Sequence, residues 1–239
     1  MSIVIAVTCD RREKGPKPHS HRTRPARSEV YIKEHLIAAL RLQGAQVVLL
    51  PPGDSQIISW VLERVDGVVI SGGAFDIDPR HYGEERIARI DHIDEARTGL
   101  ELELARRCML ENKPVLGICG GMQAMAVAAG GSLIQDILTQ VPGALDHEQD
   151  TDPAEPWHDV QITSNSVHLF GASRFGVNST HHQAVSDPGD LECIGWAPDG
   201  VVEVIAGLKQ DFCVGVQWHP ELVSGTIFES FCRIVEEIK

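Results

Sequence analysis

Glycine stands two residues before and two residues after Cys119, in Val115-Leu116-Gly117-Ile118-Cys119-Gly120-Gly121. No other stretch restricts the backbone as tightly. An apolar run ends there, and a helical pattern reaching about Ala129 starts at once. A chain that passes so abruptly from strand to helix strains the residue at the corner, and the flanking positions must be small. The helix that follows aims its first amides at the corner. They favour a thiolate there and offer a donor to an oxyanion. The plainer alternative is a buried structural cysteine beside a glycine-rich turn.

Around this corner, short β-branched runs alternate with helical patterns. Residues 3–8, 47–50, 68–71 and 115–119 read as strands. Helices are predicted from about Glu29 to Gln43, capped by Ser28 and stopped by Gly44, and over 57–64 and 93–111. Such alternation predicts an α/β fold, a parallel sheet covered on both faces. Residues 160–162, 175–177, 192–196, 201–205 and 213–217 read as short strands, giving hairpins and one more central strand in the second half. Ser224 to Ile238 closes the chain as an amphipathic helix. The acidic loop Asp146 to Pro156 need not be a linker, so a single domain over 1–239 is expected.

Charge narrows the partners. With 21 basic and 34 acidic residues the net charge is −13, which repels nucleic acid and anionic membranes. No run approaches the roughly 18 apolar residues of a membrane helix. The apolar start is one strand long and lacks a basic leader and a cleavage pattern, so a cytoplasmic protein is expected. Six cysteines without a CxxC pair suggest reduced thiols. Arg11, Arg12, Lys14, Lys17, Arg22, Arg24 and Arg27, with His19 and His21, crowd one loop that holds a single acid, Glu13. The loop follows the first strand, so it is expected at the carboxyl edge of the sheet beside Cys119, where ligands bind. There Arg22, Arg24 and Arg27 would steer anionic substrates. The alternative is a solvated counterweight to an acidic body.

A thiolate nucleophile needs a base. The run Gly215-Val216-Gln217-Trp218-His219-Pro220-Glu221 offers one at the end of a strand. Side chains two apart on an extended chain face the same way. Glu221 could then hold one ring nitrogen of His219 while the other faces Cys119. Taken alone, the same residues fit a surface turn.

Together the two segments resemble the class I glutamine amidotransferase superfamily, and within it the γ-glutamyl-γ-aminobutyrate hydrolase family, peptidase family C26. The matching text includes Ser71 to Pro79, Tyr82-Gly83-Glu84, Lys113 to Cys119 and Gly130 to Leu133. It continues through Val177 to Ala184, Ala197 to Gly200 and Gly215 to Glu221. The resemblance implies a flavodoxin-like, mostly parallel sheet. It makes Cys119 the nucleophile, His219 the base and later acid, and Glu221 the orienter. Gly73 and Gly120 match the backbone oxyanion donors. Gln123, Asn178, Ser179, His181 and His182 match residues at the glutamyl pocket. No metal is expected at His181 and His182, because adjacent side chains rarely converge on one ion and no third ligand is evident. No cofactor is implied.

The implied activity is hydrolysis of γ-glutamyl-GABA or related γ-glutamylated amines from polyamine breakdown. A small-molecule γ-glutamyl substrate is then the expected partner, with a homodimer left open. Two alternatives stand beside it: a glutaminase subunit of a biosynthetic amidotransferase, and a silent binding protein of the same fold. The chain departs from the family pattern twice. Gly120 replaces the usual Arg after the nucleophile, and Thr98 replaces Asp in an Arg-Asp-x-x-Glu pattern that Arg97 and Glu101 keep.

Overall fold

A computed structural model describes residues 2–14, 18–19, 22–23, 27–53, 55–223 and 225–239. The first half alternates as the pattern predicts. Its elements are β1 (Val4–Thr8), α1 (Glu34–Leu42), β2 (Gln46–Leu50), α2 (Ile57–Leu62), β3 (Gly67–Ile70), α3 (Glu95–Leu110), β4 (Val115–Ile118) and α4 (Gly120–Ala128). The second half supplies β5 (Ser132–Ile134), β6 (His158–Ile162), β7 (Arg174–Val177), β8 (Ala184–Asp187), β9 (Glu192–Trp196), β10 (Val202–Ala206), β11 (Cys213–Val216) and α5 (Ile227–Ile238). These strands form one 11-stranded sheet in the order β7-β6-β9-β10-β11-β4-β3-β1-β2, with β8 paired to β10 and β5 paired to β8.

From β11 to β2 the strands run parallel. The rest of the second half adds antiparallel pairs on the β11 side. Successive residues of a strand face opposite sides of the sheet. Ile5 and Val7 accordingly pack with Leu36 and Leu40 of α1 and Phe231 and Val235 of α5. Ala6 lies in the other core, with Ile58, Leu62, Leu100 and Leu104 of α2 and α3. Among the described residues no helix is long and apolar enough to cross a membrane.

One prediction fails. Arg27–Tyr31 is not the first turns of a helix but a strand paired antiparallel with Asp10–Lys14. Val30 and Tyr31 suit a ladder, and the ladder pairs their backbone groups before a helix can. α1 therefore starts at Glu34, with no side-chain cap. It ends where expected, with Gly44 in the left-handed region at φ 82°. The basic segment is thus a ribbon at its base rather than a plain loop. Arg11 pairs with the buried Asp94, and Arg12 pairs with Glu29. The side chains of residues 13–27 lie outside the described residues, and with them the steering role expected of Arg22, Arg24 and Arg27.

Candidate active site

Four carboxyl ends of parallel strands meet at one edge of the sheet, and the chain leaves them at Thr8, Ser71, Cys119 and Gln217. Cys119 sits at φ 51°, ψ −111°, a conformation that costs roughly 1–3 kcal/mol for a residue with a side chain. Packing around it leaves little alternative. A Cβ on Gly117 would lie 2.5 Å from Met125 Sδ, and one on Gly121 would lie 2.0 Å from the Ile70 carbonyl oxygen. The Cys119 amide donates to Val216 O at 2.8 Å, which ties the corner to β11.

This geometry separates two neighbouring glycines. Gly121→Ala should cost more than about 4 kcal/mol or prevent folding, because the obstacle is backbone. A Cβ on Gly120 would meet only the Phe75 ring, at 3.4 Å. Gly120→Ala should therefore shift stability by less than about 1 kcal/mol. Denaturation midpoints of the two variants check the contrast. The same contact shows that steric need does not explain the glycine at position 120.

His219 faces the corner from the opposite half of the chain. β11 ends at Val216, so His219, Pro220 and Glu221 lie in a turn, closed by Leu222 N donating to His219 O at 3.1 Å. The extended spacing expected here is replaced by that turn, yet His219 Nδ1 lies 2.8 Å from Glu221 Oε1. The ring is also within electrostatic reach of the Cys119 sulfur, and both residues flank Gly72, where a Cβ would lie 2.7 Å from His219 Cε1 and 3.1 Å from Cys119 Cβ. Burial lowers the His219 pKa, but attraction to that sulfur and to Glu221 outweighs it and pushes the value up to about 10. The stability that follows is fully present below pH 6.5 and is lost as pH rises through about 10. Burial likewise raises the Glu221 pKa, and the bond and charge of His219 more than reverse it.

Two residues hold the segments that build the site. The first is Asn178, whose Oδ1 accepts from His219 N at 2.8 Å and whose Nδ2 donates to His219 O at 3.2 Å and Pro153 O at 2.6 Å. The second is Arg97, fully buried at the start of α3. Its guanidinium donates to Ser71 O and Gly72 O, and pairs with Asp10 at 2.8 Å and Glu101 at 2.9 Å. It also stacks over the Phe75 ring at 4.2 Å. Arg97 thereby fixes the loop that carries Gly73, where a Cβ would lie 2.2 Å from the guanidinium.

A cavity of about 310 Å³ opens over Cys119, lined in part by Gly73, Gly120, Gln123, His181 and His182. Gly120 is the first residue of α4, and the first amides of a helix lack intrahelical acceptors. Gln123 Nε2 donates to Gln183 O at 3.1 Å and Gln217 Oε1 at 3.3 Å, and Gln217 Nε2 donates to Cys119 Sγ at 3.7 Å. His182 Nε2 meets Asp76 Oδ1 at 3.0 Å. Burial lowers the His182 pKa, but Asp76 outweighs it and the net direction is up. Burial holds His181 neutral at pH 7, with a pKa near about 4. Asn178 and Ser179 are fully buried behind the wall rather than on it.

Sequence reasoning did not single out Gln217 or the acids of the cavity mouth, Asp76, Asp91 and Glu148. Gln217 lies inside the His219 motif, and Asp76 inside the Ser71 to Pro79 match, so both had a signal. Arg89, which bonds Asp91 and Glu148, is the one Lys or Arg among the described lining residues. It had no signal.

Known proteins resemble this chain in sequence and in fold. The chain is 36% identical over 210 residues to the glutamine amidotransferase-like protein YvdE of Lactococcus lactis, covering 87% of each. It is 30% identical over 247 residues to the γ-glutamyl-γ-aminobutyrate hydrolase PuuD of Escherichia coli, covering 96% of this chain and 91% of that one. The fold matches a glutamine amidotransferase of Thermotoga maritima with a TM-score of 0.60 at 16% identity, over 100% of this chain and 84% of the other. The peptidase C26 model matches residues 3–221. With the cysteine corner and its histidine on the same sheet edge, the chain belongs to the peptidase C26 family of hydrolases.

Proposed function

We propose that the chain is a thiol hydrolase of γ-glutamyl amides that needs no synthase partner. The observation that supports this reading is the His219 ring, bonded to Glu221 and set beside Cys119 across Gly72. The Cys119 sulfur attacks the γ-carbonyl carbon. Its oxygen becomes an oxyanion between the amides of Gly73 and Gly120. The C–N bond then breaks, His219 gives its proton to the leaving amine, and a γ-glutamyl thioester remains. Water attacks the thioester, His219 takes a proton from it, and glutamate leaves with the sulfur restored. Glu221 keeps the ring oriented and stabilises its charged form.

The leaving amine is γ-aminobutyrate or a related amine, in line with the hydrolases among the relatives. The cavity suits a polar leaving group, because Arg89 pairs there with Asp91 and Glu148, and Asp76 lines the same wall. The test is glutamate release from purified protein with glutamine and a panel of γ-glutamyl amines. One γ-glutamyl amine should exceed glutamine in kcat/KM by at least about tenfold. A preference for glutamine, or a need for a partner subunit, would point to a glutaminase subunit instead.

A further inference from the structure

Behind the cavity wall, one carboxylate oxygen meets three imidazoles. Glu203 Oε1 lies 3.5 Å from His147 Nδ1, 3.6 Å from His158 Nε2 and 3.6 Å from His181 Nε2. Glu203 comes from β10 and His158 from β6. His147 and His181 come from segments laced by His181 N donating to His147 O at 2.9 Å. The Glu203 side chain is wholly buried, and neither of its oxygens has a hydrogen-bond partner.

The protons of this cluster are committed elsewhere. His147 Nε2 faces Asp199 Oδ2 at 3.0 Å, His158 Nδ1 faces Asp159 O at 3.1 Å, and His181 Nδ1 faces Gln183 O at 2.9 Å. Each outer nitrogen therefore carries the hydrogen, and each inner one presents a lone pair. One hydroxyl, that of Ser179, lies 2.9 Å from His147 O and 3.2 Å from both His147 Nδ1 and His181 Nε2. Its single proton can serve one of these acceptors, so lone pairs and a wholly buried carboxylate converge with more acceptors than donors. A proton on Glu203 would serve one contact only, and 3.5–3.6 Å is too long for a hydrogen bond. It is close to the roughly 3.3 Å that separates two ligands of one tetrahedral zinc ion with bonds of about 2.0–2.1 Å.

We propose that His147, His181 and Glu203 form a site for a divalent transition ion of the zinc type, with His158 packed against Glu203 from outside it. Two imidazoles and a carboxylate are donors that zinc takes. The ligand atoms of His147, His181 and Glu203 lie within 4.8 Å of one another. Each imidazole already has the oxygen acceptor on its far nitrogen that orients a metal-bound histidine. Burial favours the neutral, ligating form of His147 and His181. The ion would pin the segment from Asn178 to Gln183, and so the Asn178 clamp on His219, without touching substrate. Adjacent His181 and His182 do not share it, since His182 turns to Asp76.

The test is metal content of the full chain after dialysis against zinc and then against metal-free buffer. About one zinc per chain is expected, with the visible bands of tetrahedral cobalt when cobalt(II) replaces it. Chelation should lower Tm by about 5 °C or more, restored by zinc and not by magnesium. Glu203→Gln should lose the zinc. His147→Gln serves the same purpose if that variant does not fold. Folded wild-type protein with under about half a zinc per chain and a Tm indifferent to chelator would overturn the site. So would a folded variant that keeps its zinc. None of these readouts depends on γ-glutamyl hydrolysis.

Discussion

Cys119→Ala is expected to lose turnover by at least about ten-thousandfold while Tm moves by only a few degrees. Alanine keeps the Cβ that the corner already accommodates at φ 51°. It removes only the sulfur, and with it the partner of His219 and Gln217. Cys108 and Cys232 are the controls. Both are buried, and burial raises both thiol pKa values, that of Cys232 to about 11. Neither should react at neutral pH, and Ala at either should leave kcat within about twofold of wild type. Glutamate release by each variant, with alkylation stoichiometry of the wild type, decides the matter. Activity above about one per cent in Cys119→Ala would remove the sulfur from the reaction.

The second expected result is an ordered loss at the base. His219→Ala should cost about as much as loss of the nucleophile, because no other group takes the proton. Glu221→Gln should cost less, on the order of a hundredfold or more, since Gln keeps the shape but not the charge beside the ring. The pH profile carries the sharper signal. Glu221 is one cause that raises the His219 pKa to about 10. Without that charge the imidazolium gives up its proton at lower pH, so the alkaline limb of the rate profile should move acidward. An unmoved limb and a near-normal rate would take Glu221 out of the site.

Residues differ in how far sequence reveals them, and the reasons are physical. The corner at Cys119 was legible because its steric demand acts on the immediate neighbours, Gly117 and Gly121. The strands were legible where a buried parallel sheet requires unbroken β-branched runs, as in β1, β3 and β4. The strand at Arg27–Tyr31 was not, because its partner Asp10–Lys14 is itself polar and neither has the alternation of a half-buried ladder. For His219 and Glu221 the pairing was readable, while the turn that makes it was not. Asn178 was readable as a pocket residue only by resemblance. Its grip on the His219 backbone depends on the fold alone. The cluster around Glu203 had no signal, since its four members come from separate segments with no shared spacing.

The position of β11 has a consequence for how the chain is made. It is the last strand in sequence, yet it lies between β4 and β10 in the sheet. Until a ribosome has released residue 216, β4 presents an open edge with Val115, Leu116 and Ile118, which are all buried in the finished protein. An apolar edge of that kind pairs readily with other chains. The nascent polypeptide therefore passes through a long aggregation-prone interval, and the same late insertion keeps Cys119 apart from His219 throughout it. The thiol cannot meet its base before residue 219 is made, so a product truncated ahead of it would carry the cysteine without the means to use it.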